Sequence, residues 1–344
     1  MRRLLFPTAI AVALLAIAYS GYWFVLARIV VADLADWSAA RRAEGYTVAY
    51  GEPKVGGFPL AVAARLSAPT VAAPGGAWRW QGPDATLEVR PWAPFDLLFS
   101  APGHHRLAIA GAKPREIAIE SPSVRLAVTV ARDGSANGFR LAIADAAVTE
   151  DSLGGASVAT ASVEARFAVP PPADPSHSSL DLTIEASGLD LPASVEAPLG
   201  RHVDHVHVAL QLMGPLPPGS PRQAISGWRD AGGEVEIRKG ELDWGPLGLA
   251  GDGTVALDRA MQPLAAGTVR VAGLGETLDT LVAAGLLEPS PAKLAKFMFT
   301  ALAKPTAAGG RPEVQLPLTI QDGYLYTGPI RLAALRPLDW SWLP

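Results

Sequence analysis

The chain has 344 residues, carries a formal net charge of −4 and contains no cysteine. The lack of a basic excess argues against nucleic acid as a partner, and the lack of cysteine excludes a disulfide framework, a catalytic thiol and a Cys-ligated metal. Only 18% of the residues are charged and 49% are hydrophobic, so we expect an apolar protein, long enough for one large or two ordinary domains.

The first segment of the chain is an apolar stretch that is long enough to cross a membrane. Arg2 and Arg3 precede it, and no further charged residue occurs before Arg28. A run of about 24 residues rises ~36 Å as a helix, more than the ~30 Å hydrocarbon core of a bilayer. The sequence therefore predicts a transmembrane anchor over residues 1–31. Its main apolar and interfacial members are Leu4, Leu14, Leu15, Tyr22, Trp23, Phe24 and Leu26.

The charges that flank this stretch predict its orientation. Two arginines stand before it and only one stands close behind it, a distribution that favours a cytoplasmic N-terminus. The expected location is thus the inner membrane, with the bulk of the chain in the periplasm. A cleaved signal peptide is the alternative, because Ala16, Ile17 and Ala18 form a pattern that a signal peptidase can use. The apolar run continues well beyond these residues, which favours a retained anchor.

Residues 32–45 are predicted to extend the anchor as a juxtamembrane helix. Val30, Leu34 and Trp37 recur at helical spacing, and Gly45 suits the position just after the last turn. We expect this helix to pack on the domain that follows it, with Trp37 as its main buried contact.

From Tyr46 onward, apolar residues alternate with polar ones in short runs that are bounded by Pro or Gly. This period is typical of antiparallel strands that have one buried face. Residues 46–344 are therefore predicted to form an extracytoplasmic, mainly β domain, either one extended, curved antiparallel sheet or two stacked sheets. The Pro-rich segment 168–177 is a possible domain boundary within it, or else a long loop between strands of one sheet.

Three Asp-Gly pairs and three segments with a helical apolar period interrupt the predicted strands. Asp-Gly adopts a positive φ at low cost, so each pair predicts a tight turn. The glycines of these turns are Gly134, Gly253 and Gly323.

A few helices are expected in the C-terminal half, from Arg222 to Ala231, from Leu274 to Leu287 and from Pro291 to Lys304.

The common catalytic and cofactor-binding motifs are missing, so we predict no catalytic residue, no cofactor and no enzymatic activity. One pair of residues is a weak candidate for metal binding. His205 and His207 would point to the same face of a strand, and histidines at this spacing can bind zinc. No third ligand is identifiable from the sequence, so the alternative is that both histidines lie on the solvent-exposed face of an amphipathic strand.

Several segments resemble the domain of unknown function family 2125, a family of uncharacterised proteobacterial envelope proteins. They are the anchor, the motif Gly57, Phe58 and Pro59, the stretch from Trp78 to Pro91, the segment from Gly248 through Leu287, and the stretch from Gly323 to Ile330. The C-terminal half is also distantly similar to AsmA-type proteins. That likeness implies a strand-rich sheet curled into a hydrophobic trough, which handles lipid between envelope membranes. The family has no known catalytic residues, so the resemblance assigns none.

The resulting hypothesis is a non-enzymatic, membrane-anchored envelope protein that binds or passes lipid-like acyl chains along a concave apolar sheet. The alternative is an envelope scaffold or assembly factor that acts through protein contacts. A metal-dependent hydrolase centred on His205 and His207 is a third hypothesis. The expected partners are the membrane, lipid and other envelope proteins.

Overall fold

The computed structural model describes residues 2–111, 114–131, 134–302 and 312–340. Within these residues the chain is mainly β-sheet with antiparallel pairings. One long helix stands at the N-terminus, and three shorter α-helices occur in the C-terminal half of the described chain. The predicted fold class, an antiparallel β protein with an N-terminal helix and a few C-terminal ones, is therefore confirmed.

The chain divides into two compact units, Met1–Ser152 and Leu153–Pro344. The division does not fall in the Pro-rich segment 168–177, which the sequence suggested as a possible boundary. That segment connects two directly paired strands of the second unit. It is the long loop that the sequence left open as the alternative.

The first unit begins with one continuous helix, α1 (Arg2–Ala43), so the predicted anchor and juxtamembrane helix form a single element. Gly45, with a φ of 89°, ends it. The N–H of Gly45 donates to the carbonyl oxygen of Arg42 at 3.0 Å, and that of Tyr46 donates to Arg41 at 3.0 Å. This is the Schellman arrangement that a glycine just past the helix favours, as the sequence predicted.

The rest of the first unit is an antiparallel sheet whose neighbouring strands are often distant in sequence. The strands are β1 (Thr47–Ala49), β2 (Lys54–Gly56), β3 (Val62–Leu66), β4 (Thr70–Ala72), β5 (Trp78–Gln81), β6 (Ala85–Arg90), β7 (Ala93–Ser100), β8 (Gly103–Ile109), β9 (Arg115–Ser121), β10 (Ser123–Val130) and β11 (Ala136–Glu150). Their spatial order is β1-β4-β5-β8-β9-β11-β10-β7-β6-β3-β2.

The core of the first unit forms where one side of α1 packs on β3 and β6. The helix residues of this core are three or four positions apart, a spacing that places them on one face. The buried cluster consists of Trp23, Leu26, Ala27, Val30, Val62, Ala64 and Val89. Full burial of a large apolar side chain stabilises a fold by ~1.5–3 kcal/mol, so this packing ties the helix firmly to the sheet.

The prediction that Trp37 is the main buried contact of the helix was wrong. Trp37 is 48% exposed, whereas the next residue, Ser38, is buried. The buried stripe passes from Val30 through Leu34 to Ser38, because four residues complete slightly more than one helical turn. The apolar period thus indicated a packing helix but placed its packed side one residue away from the true one.

The second unit is an antiparallel meander in which each strand pairs with the next one along the chain. Its strands are β12 (Gly154–Phe167), β13 (Ser178–Asp190), β14 (His202–Met213), β15 (Glu234–Trp244), β16 (Leu247–Leu257), β17 (Pro263–Ala272), β18 (Glu313–Gln321), β19 (Tyr324–Thr327) and β20 (Ile330–Ala334). Three helices interrupt the meander, namely α2 (Pro221–Asp230), α3 (Leu274–Ala283) and α4 (Pro289–Leu302).

The three predicted helices are therefore present, with boundaries shifted by a few residues. Ser220 caps α2: its Oγ accepts from the backbone N–H of Gln223, whose side chain accepts from the backbone N–H of Ser220. This reciprocal capping box explains why the helix starts at Pro221. Lys304, the predicted end of the last helix, lies outside the described residues.

Two of the three predicted turn glycines occupy turns. Gly323, with a φ of 75°, lies between β18 and β19, and Gly134, with a φ of 85°, lies between β10 and β11. The prediction for Gly253 was wrong, because this residue lies in the middle of β16 and pairs with Ile237 and Gly267. A glycine within a strand often allows two backbones to approach each other closely. Gly253 has this role and does not form a turn.

Candidate functional site

The register of the second unit places every second residue of its strands on one common face. Directly paired residues of antiparallel strands point to the same side of the sheet. One row, read across β14 to β18 through the direct pairings, consists of Val208, Gly240, Gly251, Val269 and Leu316. This row contains only aliphatic side chains and glycines.

The neighbouring rows repeat this composition, and together they form a surface that we name the apolar face. On β12 to β14 it comprises Ala161, Val163, Ala165, Phe167, Leu180, Leu182, Ile184, Ala186, Val206, Val208, Leu210 and Leu212. On β15 to β18 it comprises Val235, Ile237, Gly240, Leu242, Leu249, Gly251, Gly253, Val255, Ala265, Gly267, Val269, Val271, Val314, Leu316, Leu318 and Ile320. These described positions, spread over seven strands, include no charged side chain.

Most of the apolar face is only half-buried. Phe167 and Ile184 are exposed, whereas Val271 and Val314 are buried. The other large aliphatic side chains of the face lie between these extremes. An apolar surface that is contiguous and incompletely covered marks a site of contact with a ligand, a partner or a membrane.

A groove with a volume of about 440 Å³ lies on this face, within the range of ligand pockets. Gly253 and Gly267 face each other in its floor. A Cβ at Gly253 would lie 2.7 Å from the carbonyl oxygen of Ala266, and one at Gly267 would lie 2.4 Å from that of Asp252. Because both distances are too short for a real contact, this part of the floor accepts glycine only and remains bare backbone.

Two acidic residues, Glu241 and Asp252, also border the groove. Each directly neighbours a residue of the apolar face along its strand, so its own side chain points to the opposite side of the sheet. A molecule in the groove would therefore meet a lining that is almost entirely apolar.

The polar face of the same sheet carries the two histidines that the sequence selected. His205 and His207 share this face as predicted, with ring centroids 6.3 Å apart, and their direct register partners add carboxylates. Glu185 pairs with His207, and the ligand atoms of these three residues lie within 4.8 Å of one another. The sequence missed Glu185 because only the register of β13 against β14 brings it there.

A fourth side chain beside this cluster, Glu241, already forms an ion pair with Lys239. Glu241 Oε2 lies 2.9 Å from Lys239 Nζ and 4.0 Å from His205 Nε2. The hydrogen bond from the Lys239 ammonium lowers the pKa of the Glu241 carboxyl. Two imidazoles and a carboxylate are groups that zinc accepts, so the metal-binding hypothesis for His205 and His207 stays open with Glu185 as its third ligand.

A separate ion pair joins β13 and β14 at one end of the two strands. His202 Nδ1 lies 2.8 Å from Asp190 Oδ1, and Ser157 Oγ donates to Asp190 Oδ2 at 3.0 Å. The hydrogen bond with Asp190 raises the pKa of His202, and the same bond lowers the pKa of the Asp190 carboxyl.

The predicted anchor residues fall into two groups along α1. Leu14, Leu15, Tyr22 and Phe24 are exposed, as a membrane-embedded helix requires, whereas Trp23 and Leu26 are buried against the sheet of the first unit. For Leu4 only the helical backbone is described. The part Ile10–Ala43 is long and apolar enough to cross a membrane by length and composition alone.

Hydrogen bonds fasten α1 to two loops of the first unit. The hydroxyl of Tyr19 donates to the carbonyl oxygen of Pro59 at 2.5 Å, and the indole N–H of Trp23 donates to that of Ala61 at 2.9 Å. The hydroxyl of Tyr22 donates to the carbonyl oxygen of Pro91 at 2.7 Å. From about Tyr19 onward, the predicted anchor segment therefore also packs on the first unit.

The first of these loops contains the predicted motif Gly57, Phe58 and Pro59. Gly57 has a φ of 95°, and a Cβ there would lie 2.6 Å from the carbonyl oxygen of Ala61. The N–H of Ala61 donates to the carbonyl oxygen of Gly57 at 3.0 Å, which closes the turn. Gly57 thus shapes the loop, and Phe58 is exposed on it.

Comparison with known proteins identifies the family. A family profile described as an uncharacterized protein conserved in bacteria, domain of unknown function family 2125, matches residues 23–336. The match starts at Trp23, the first buried residue of α1 in the part from Ile10 onward for which burial is described. No curated protein and no solved structure matches the chain. The likeness to AsmA-type proteins is not supported by these comparisons and stays a prediction. Since the profile covers most of its length, the chain belongs to the domain of unknown function family 2125.

Proposed function

We propose that this protein is a single-pass, non-enzymatic protein of the inner membrane, and that its periplasmic second unit holds lipid-like acyl chains on the apolar face. The observation that carries the proposal is the composition of that face over seven paired strands, all aliphatic, aromatic or glycine. A soluble domain normally buries such a surface under its own helices, whereas most of this one is half-exposed.

The dimensions of the apolar face suit an acyl chain. Seven strands at a spacing of ~4.8 Å span ~29 Å across the sheet. One leaflet of a ~30 Å hydrocarbon core is about 15 Å thick, so an extended acyl chain fits along the face with room for a second. The groove around Gly253 and Gly267 gives such a chain a floor without side chains.

The energetics are sufficient without any polar contact. Burial of a methylene contributes ~0.8 kcal/mol, so about ten buried methylenes correspond to ~8 kcal/mol, an affinity in the micromolar range before the loss of chain entropy is subtracted. The apolar face supplies no charged group to bind a headgroup. We therefore expect selectivity for chain length rather than for headgroup chemistry.

A matched pair of variants on β14 tests the proposal. Val208 lies on the apolar face and Ala209, the next residue, lies on the polar face. The full chain and the variants Val208→Glu and Ala209→Glu are purified in mild detergent and assayed for co-purified lipid by mass spectrometry and for binding of a fluorescent fatty acid. Val208→Glu is expected to lose binding at least about tenfold, since a buried unpaired carboxylate costs several kcal/mol. Ala209→Glu should bind like the unchanged chain.

Two results would contradict the proposal. One is the absence of any bound lipid or fatty acid in the unchanged, folded protein. The other is equal binding by both variants, which would place the lipid somewhere other than the apolar face.

The alternative function, an envelope scaffold that acts through protein contacts, is favoured by one observation. The strand β20 pairs with β19 along one edge and has no partner on its other edge among the described residues. All five of its side chains are exposed, including Ile330 and Leu332. An uncovered edge of this kind can accept a strand from another chain. Crosslinking in cells that yields one dominant protein partner, together with no bound lipid, would favour this function.

A further inference from the structure

The length of apolar helix that a bilayer covers determines how far the bilayer reaches along α1. A hydrocarbon core of ~30 Å takes up ~20 residues of a helix that rises 1.5 Å per residue. Counted from Leu4, the first uncharged residue after Arg2 and Arg3, the core ends near Trp23. The outer boundary of the bilayer therefore lies beside the turn of α1 that is already packed on the first unit.

Two loops of the first unit stand at this level, because they accept the hydrogen bonds of Tyr19, Tyr22 and Trp23. One is the loop over residues 57–61 and the other is the connection over residues 91–92. A bilayer that surrounds α1 up to Trp23 must therefore meet both loops.

The side chains that these loops present are large and apolar. Phe58 is 53% exposed, Leu60 is 68% exposed and Trp92 is 65% exposed. On the side of α1 that is turned away from the sheet, Phe24 and Val25 are exposed as well. These five exposed residues belong to the two loops and to the helical turn beside them, and we name them together the collar.

The loop backbone is also suited to contact with lipid. Lipid tolerates irregular backbone only where its polar groups have partners. The carbonyl oxygens of Pro59, Ala61 and Pro91 accept the three hydrogen bonds from α1, and the two prolines have no N–H to satisfy. The N–H of Ala61 is bonded within the loop.

We propose that Phe58, Leu60 and Trp92 insert into the outer leaflet beside α1, so that the first unit is seated on the bilayer rather than held away from it on a stalk. The partner of this surface is the lipid bilayer itself, into whose interfacial region aromatic side chains such as Trp92 partition. The inference rests on the proposed membrane anchor, because only a retained helix brings the collar to the bilayer. It does not require that the apolar face of the second unit binds lipid.

The absence of cysteine makes a direct depth measurement possible, since an introduced thiol is the only one in the chain. We would prepare the full chain with single substitutions Leu60→Cys and Trp92→Cys, attach a nitroxide, and reconstitute it in phosphatidylcholine and phosphatidylglycerol vesicles. Collisions with oxygen and with a water-soluble nickel complex then report whether each label lies in lipid or in water. Val12→Cys, in the exposed apolar part of α1, is the reference for lipid. Leu216→Cys, exposed in the second unit, is the reference for water.

The expected result is that labels at positions 60 and 92 lose access to the nickel complex and gain access to oxygen, as at position 12. If positions 60 and 92 are as accessible to nickel as position 216 while position 12 is in lipid, the insertion of the collar is wrong and the anchor stands. If position 12 is also in water, the proposed anchor itself is wrong and the inference fails with it. Circular dichroism confirms that each labelled chain is folded, and all four substitutions replace exposed side chains.

Discussion

The two units of this protein differ in how the apolar side of their sheet is covered. Each is an antiparallel sheet with an apolar side, and an apolar side is unstable in water unless something covers it. In the first unit, α1 covers the part of this side that β3 and β6 form, and Trp23 and Leu26 pack on Val62 and Val89 until both strand residues are almost fully buried. In the second unit the apolar face spans seven strands and most of it remains half-exposed.

This difference distinguishes a surface that the protein's own helix fills from one that stays open to another molecule. A face that is filled by a helix of the same chain contributes to stability and offers no room for a ligand. A face that stays half-exposed contributes less to stability and can accept an apolar molecule. We therefore expect the contact between α1 and the sheet of the first unit to contribute mainly to stability, and the proposed lipid binding to depend on the second unit.

The largest effect that tests this comparison is expected from Trp23→Ala. Removal of a buried Trp at the centre of the first core should destabilise that unit by ~3–5 kcal/mol. Trp37→Ala in the same helix is the matched control, because Trp37 is half-exposed, and it should change stability by less than about 1 kcal/mol. Denaturant unfolding of the full chain in detergent measures both. Equal effects would show that α1 does not fill the first core.

A smaller effect is expected from Gly251→Ala in the groove floor. The added Cβ would lie 2.4 Å from the carbonyl oxygen of Thr268, so β16 and β17 must move apart. We expect destabilisation of ~1–3 kcal/mol and weaker fatty-acid binding. Gly155→Ala on β12 is the control, since a Cβ there has nothing within 4 Å. If neither variant changes stability or fatty-acid binding, the absence of side chains in the groove floor is not required for either property.

The capping box of α2 is expected to have a moderate effect. Ser220→Ala removes the acceptor for the N–H of Gln223 and should cost ~1 kcal/mol. Ser226→Ala, which removes a hydroxyl that only bonds back to the helix carbonyls of Arg222 and Gln223, should be close to neutral. Thermal unfolding of the two variants decides the order. A reversed order would argue that the N-terminus of α2 frays in the native protein.

The smallest effect concerns the ion pair at the end of β13 and β14. Because the pKa of His202 is raised in the folded chain, its contribution to stability is present at low pH and is lost as the pH rises through that raised value. Asp190 acts in the opposite sense, since its lowered pKa makes its contribution disappear as the pH falls through the folded value. NMR titration of His202 should show its pKa fall in Asp190→Asn. An unchanged titration would mean that the pair is not formed in solution.

Much of the fold follows from local patterns in the sequence. The change of period near Tyr46 separates helix from sheet, Gly45 ends α1, and the alternation along β14 puts His205 and His207 on one face. Each of these features depends on residues that are adjacent or one turn apart. Local sequence is sufficient for them because local sterics and hydrogen bonds determine them.

The features that the sequence missed depend on contacts between distant segments. Glu185 joins the histidines only through the register of β13, and Gly253 is required by the approach of β17, neither of which a single strand reveals. The packing of Trp23 on the first unit was missed for the same reason. An apolar helix face looks alike to lipid and to a protein core, so composition alone cannot separate the two surroundings.

The meander of the second unit has a consequence for how such a protein can change in evolution. Because each described strand from β12 to β20 pairs with its neighbours in sequence, a hairpin can be gained or lost without a change in the pairing of the others. Each hairpin alters the width of the sheet by two strand spacings, about 10 Å. Duplication or deletion of whole hairpins can therefore widen or narrow the sheet of the second unit while the first unit keeps its dimensions.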